Sequence, residues 1–165
     1  MEHNPHRRFA LAIVDNLEEA LTAIRQLVRS DLEPQTISVL GQEASFAGER
    51  QTADELGRIV SRRGQVPNLA VDSNQIICLA HDSGVLPKLI CENSELLGRE
   101  LQRRLSSQHA ERLTRAIACG EFLLLVELHS LIEERTATRI LLRHCRGSVE
   151  VHDFNAAESA EEFHI

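Results

Sequence analysis

Residues 9–14 (FALAIV) are apolar on both faces: Phe9, Leu11 and Ile13 on one side, Ala10, Ala12 and Val14 on the other. That pattern predicts a central strand covered from above and below. The period then changes. Leu17, Ala20, Leu21, Ile24, Leu27 and Val28 recur at helical spacing, with Asn16 at the N-cap and Glu19 three residues on, the spacing of a capping box. Residues 31–35 contain Pro34 and predict a turn. Residues 36–40 (TISVL) predict a second strand, which Gly41 is expected to end.

The same grammar returns near the other end of the chain. Gly120 is placed to terminate a helix. Phe122–Leu128 (FLLLVEL) then puts Phe122, Leu124, Val126 and Leu128 on one strand face and Leu123, Leu125 and Glu127 on the other. Ser130 with Glu133 repeats the capping spacing, and Ala137, Ile140, Leu141 and His144 form a weaker helical stripe. Arg146-Gly147 makes a turn, and residues 148–152 (SVEVH) predict the closing strand.

Between the copies the pattern is largely helical. Ala53, Leu56, Ile59 and Val60 predict a helix over 51–62, and Gly64 and Pro67 predict a loop over 61–68. Residues 69–80 fit either a strand or a buried helix. Asn93 is placed to cap a helix carrying Leu96, Leu97, Leu101 and Leu105. Ser107 is placed to cap another, with Ala110, Leu113, Ala116 and Ile117 facing inward. The acidic residues 156–165 are expected to fray.

Two strand–helix–strand units predict an α+β fold of the ferredoxin-like (split βαβ) kind, in one domain spanning 1–165. The units cover 8–42 and 119–153, with a mostly helical insertion over 43–118. The first and third strands are expected side by side and parallel in the centre, and the more polar second and fourth strands at the edges. This arrangement leaves one sheet face without helices from the two units, yet both central strands are apolar on both faces. Either the middle helices cover that face or a second subunit does.

Composition narrows the partners. The net charge of −7 over 165 residues opposes phosphate-backbone binding. With no Trp, no Tyr and five Phe, a base-stacking platform is not expected either. Cys78, Cys91, Cys119 and Cys145 form no CxxC pair, and no secretory leader precedes them, so reduced thiols and a cytoplasmic location are expected. No run approaches the roughly 20 apolar residues of a membrane span.

The stretch LLGRELQRRLSSQHAERLTRAIACGEFLLLVEL, through Ala110, Ala116, Ile117, Gly120, Leu123, Leu124 and Val126, and then Val149, Val151 and His152, resembles the bacterial general-stress-protein, or heat-induced stress protein, domain family. The opening FALAIVDNLEEALTAIRQLV is similar to that family's start. The middle departs from it: Arg50, Arg58, Arg62 and Arg63 stand where family members carry Gly and Ala. The resemblance implies a stress-linked role with no established reaction, and it carries over no catalytic residues.

Asp15 and His129 each end a predicted central strand, followed by the capping residues Asn16 and Ser130. If the strands are parallel, all four residues share one sheet edge, where two helix N-termini favour an anion. The alternative is that Asp15 and His129 are solvated residues before helix caps. Cys78 and His81 have C-x-x-H spacing with Cys91 beyond, short of the paired spacing of a zinc site, so no metal is expected. His144-Cys145 is expected to be structural, and the eight scattered His to titrate at the surface. The arginines, Arg103-Arg104 included, predict solvated helix faces. No phosphate-cradling, dinucleotide, nucleophile-elbow or H-E-x-x-H motif is present. The expectation is a non-enzymatic, stress-associated accessory protein without cofactor, acting as a homo-oligomer or on a protein partner. The alternative is a sensor of a small anionic ligand at Asp15, Asn16, His129 and Ser130.

Overall fold

The computed structural model describes residues 6–60, 69–80 and 105–155. Strand β1 (His6–Val14) leads into helix α1 (Leu17–Arg29), and a 3-10 turn (Pro34–Thr36) leads into β2 (Ile37–Gln42). Helices α2 (Glu43–Ala47) and α3 (Arg50–Val60), strand β3 (Ile76–Leu79) and helix α4 (Ser107–Ala118) follow. The chain closes with β4 (Phe122–Leu128), α5 (Leu131–His144) and β5 (Glu150–Asn155). The fold is α+β. The five strands form one sheet in the order β3-β2-β4-β1-β5.

The two repeat units interleave, β4 lying between β1 and β2 and β1 between β4 and β5. The central pair β1–β4 is antiparallel rather than parallel: Arg8 lies opposite Leu128 and Val14 opposite Phe122. The crossover through α1 sets β1 and β2 in the same direction two strand positions apart. β4 fills the gap between them and runs antiparallel to both. Nor is β2 an edge strand. It runs through Gly41 to Gln42, and β3 pairs along its outer side, Gly41 opposite Ile77 and Gln42 opposite Ile76. Residues 69–80 thus contribute a strand. The closing strand begins at Glu150, two residues later than expected, and runs to Asn155.

The caps follow the sequence with one shift. Asn16 Oδ1 accepts from Glu19 N at 2.9 Å, and Ser130 Oγ from Glu133 N at 3.1 Å. Helix α4 is capped by Ser106, not Ser107: the Ser106 hydroxyl accepts from His109 N at 3.3 Å. At the C-terminus of α4, Gly120 takes φ +91°, and Glu121 N bonds back to Ala116 O. This is the left-handed closure that glycine permits most cheaply. The expected helix over residues 93–105 and the loop over 61–68 lie outside the described residues, save Leu105, which is buried.

Each sheet face has its own core. On one, Ala10, Ala12, Val14, Leu124 and Val126 pack beneath α1, α3 and α5 through Leu17, Ile24, Leu27, Leu56, Ala137 and Leu141. On the other, Phe9, Leu11, Ile13, Leu123 and Leu125 pack with Ala110, Leu113 and Ile117 of α4. The second face is therefore covered from within the chain, which decides between the two covers left open above. No helix among the described residues is long and apolar enough to cross a membrane.

Candidate functional site

The antiparallel pairing decides the fate of the expected anion site. Asp15 follows Val14 at one end of the central strand pair, and His129 follows Leu128 at the other. The register places His129 opposite Arg7, eight residues from Asp15; at about 3.4 Å per residue that separates them by roughly 27 Å, so they share no pocket. Both helix N-termini are also supplied from within the chain. Leu17 N donates to the Glu49 carboxylate at 3.1 and 3.2 Å beside the Asn16 cap. His129 N donates to Glu133 Oε1 at 2.9 Å beside the Ser130 cap. Asp15 faces Arg146, which also binds Glu121. The His129 ring stands between Glu127 and Glu133, at 3.7 and 3.5 Å. The four residues act as caps and solvated neighbours of caps.

Among the described residues, the Cys78 thiol is not poised as a thiolate. Burial pushes the Cys78 thiol up to about 12, against the opposing pull of hydrogen bonds from Ser38 and Val39, so it stays protonated. His81 and Cys91 lie outside the described residues. His144, at the end of α5, packs its Nδ1 3.0 Å from Glu19 Oε2 in the first turn of α1, a contact that joins two helices.

Polar groups do converge between α4 and the edge strand β5. Pairing with β1 fixes which β5 side chains point toward α4. Glu150 lies opposite Leu11 and His152 opposite Phe9, and Leu11 and Phe9 belong to the face that α4 covers. On α4, Ala110, Leu113 and Ile117 face the sheet, and His109 and Arg112 flank that stripe on the β5 side. An open groove of ≈ 530 Å³ lies here, lined by Gln108, His109, Glu111, Arg112, Arg115, Ser148 and Glu150.

The contacts in the groove are ordered around one carboxylate. Arg112 Nη2 donates to Glu150 Oε2 at 3.0 Å and its Nη1 to Ser148 Oγ at 3.2 Å. Ser148 Oγ in turn donates to the same Oε2 at 3.0 Å. The other oxygen, Oε1, faces two imidazoles: His109 Nε2 at 3.5 Å and His152 Nε2 at 3.8 Å. The two rings stand edge to face with centroids 5.5 Å apart. Burial holds the His152 imidazole below its ordinary value. The carboxylate of Glu150 pulls the other way, and His109 adds to the depression. Gly147, at φ +88°, turns the chain so that Ser148 comes under Arg112.

Sequence reading missed this site, although its parts were visible. In SVEVH the polar residues Ser148, Glu150 and His152 alternate with Val149 and Val151, so they share a strand face. His109, Arg112 and Arg115 recur every three residues along α4. Neither pattern says that the two polar rows face each other, since that depends on which sheet face α4 covers. No protein family, characterised protein or solved structure matches this chain.

Proposed function

We propose that this chain is a non-enzymatic binding domain that takes a small anionic ligand in the groove between α4 and β5. The observation that carries the reading is the column His109, Arg112 and Arg115, which puts two guanidinium groups and an imidazole along one groove wall, across from Ser148. A volume of ≈ 530 Å³ suits a small metabolite. Guanidinium is the cation best shaped for a carboxylate or phosphate, which it grips through two parallel hydrogen bonds.

Glu111 and Glu150 also line the groove, and they weigh against an anion. Arg115 is paired with Glu111 at 2.8 Å, but both side chains are about two-thirds exposed. Such a pair contributes well under 1 kcal/mol and exchanges readily for a ligand. Arg112 is committed to Glu150 through Nη2. Arg115 is therefore the principal anion-binding group, with Arg112 and His109 secondary. The stress-protein resemblance supports a non-catalytic role for the same domain. Self-assembly through an uncovered sheet face loses its motivation, since α4 occupies that face.

Thermal denaturation in metal-free buffer, against a panel of millimolar carboxylates and phosphate esters, tests the reading. At 100-fold excess over Kd a ligand stabilises by about 2.7 kcal/mol. For a chain of this size that raises Tm by about 5–10 °C. Arg115→Ala, an exposed change, should abolish the shift and leave the unliganded Tm in place. A panel that stabilises nothing, or a shift that survives Arg115→Ala, would remove the reading.

A further inference from the structure

We propose that His109, Glu150 and His152 form a binding site for one divalent first-row transition-metal ion, of the zinc and cobalt class. This goes beyond the anion reading and stands on different observations.

The first observation is position. One ligand atom from each of the three residues lies within 4.8 Å of the other two. Two of the separations are 3.5 and 3.8 Å, both to Glu150 Oε1. Donors on a tetrahedral ion with bonds of about 2.0–2.2 Å lie roughly 3.3–3.6 Å apart. The groups therefore stand too far apart for strong hydrogen bonds to one another, and close to the spacing a shared ion would impose. Small side-chain rotations close the remainder.

The second observation is how the carboxylate is held. Arg112 and Ser148 both bind Oε2, which fixes the plane of the Glu150 carboxylate and leaves Oε1 directed at the imidazoles. Hydrogen bonds of this kind orient ligands in metal sites. The third is that His152 Nε2 is buried and has no hydrogen-bond partner. A buried ring nitrogen without a partner is costly, and coordination to an ion would satisfy it.

The donor set chooses the metal. Two imidazoles and one carboxylate suit zinc, cobalt, nickel or ferrous iron, whereas calcium and magnesium prefer oxygen donors alone. Three protein ligands leave coordination positions open. Glu150 and His109 also line the groove, so those positions face the space proposed for the anion. With both imidazoles neutral, the Glu150 and Arg112 charges cancel, and the guanidinium on the far oxygen opposes the ion. Affinity is therefore expected in the micromolar range, weaker than at a thiolate site.

The chain has eight His, so binding must be assigned as well as detected. The experiment is calorimetric titration of the metal-free full chain with Zn²⁺, paralleled by the visible absorption of Co²⁺. Three variants, His109→Ala, His152→Ala and Glu150→Gln, are compared with His129→Ala, which removes an imidazole lying between Glu127 and Glu133, outside the cluster. The expected result is one ion per chain, at least about tenfold weaker in each of the three variants and unchanged in His129→Ala. Circular dichroism and Tm establish that each variant is folded. If His152→Ala disturbs the sheet, the half-exposed His109 carries the test. Absence of stoichiometric binding overturns the proposal, as does binding that survives both His109→Ala and His152→Ala. Neither outcome touches the anion reading, which is measured without metal.

Discussion

Gly41 lies inside β2, where the sequence suggests only a strand end. A Cβ there would meet Phe122 Cδ1 at 2.5 Å and Cε1 at 2.8 Å, with Phe46 Cε2 at 3.2 Å. Neither ring can yield cheaply. Both are fully buried, and they pack edge to face with centroids 4.9 Å apart. Gly41→Ala should therefore destabilise by about 1–3 kcal/mol, the usual cost of overpacking. Urea denaturation should show a lower midpoint at unchanged slope. Gly48→Ala is the control: its Cβ meets only backbone oxygens at 3.6 Å, and its φ of −67° suits any residue. A Gly41→Ala midpoint equal to that of Gly48→Ala would refute the steric account. A glycine after the five residues of a predicted strand reads as a terminator because the ring that needs its space is 81 positions away in sequence. Local pattern is blind to that contact, as it is to the meeting of His109 with Glu150.

Elements are joined by polar stitches as well as by the two cores. Arg8 on β1 donates through Nε to Glu134 Oε1 on α5 at 2.7 Å, and through Nη1 to Asp153 Oδ1 on β5 at 3.1 Å. The hydrogen bond from Arg8 holds the Glu134 carboxyl below the usual carboxylate range, against a smaller desolvation effect. A carboxyl depressed in the folded state contributes stability above its unfolded pKa and loses it as pH falls through the folded value. Arg8 is 41% exposed, so solvent and salt screen the pair. Arg8→Met, which keeps the apolar stem, should cost only about 0.5 kcal/mol near neutrality. That gap should close in acid below the carboxylate range and in about 1 M salt. A gap constant across pH would mean that ionisation of Glu134 and Asp153 is not what couples Arg8 to its neighbours. At this scale the helices were largely legible: α1, α4 and α5 bury the stripes their periods announce. The address of α4 was not legible, because an amphipathic helix declares that it has a buried face without saying which sheet face receives it.

For the molecule as a whole, the decisive feature is that the repeats interleave rather than sit side by side. The repeat itself was legible, because each unit carries its own apolar strand, cap and helical stripe. Strand direction was not, since Phe122–Leu128 is apolar on both faces whichever way it runs. Nor was β3: a four-residue strand is too short for its period to separate it from a helix. Interleaving has a mechanical consequence. Both neighbours of β1 come from after residue 121, and β4 is also the inner neighbour of β2. A fragment of residues 1–104 therefore keeps α1, α3 and the β2–β3 pair but removes both strands that β1 pairs with, β4 and β5. It also lacks α4, so Leu11 and Ile13 would lose their packing against Ala110, Leu113 and Ile117. A two-stranded ribbon with unpaired neighbours is marginal, and the fragment should show no cooperative thermal transition. The full chain should melt in one step, because β1 cannot leave without releasing both repeats. Mixing fragments 1–104 and 105–165 should recover native circular dichroism, since the missing strands and α4 return together. A cooperative melt of 1–104 alone would mean that the first strand–helix–strand unit is self-sufficient, and the interleaved sheet would then not be what holds the chain together.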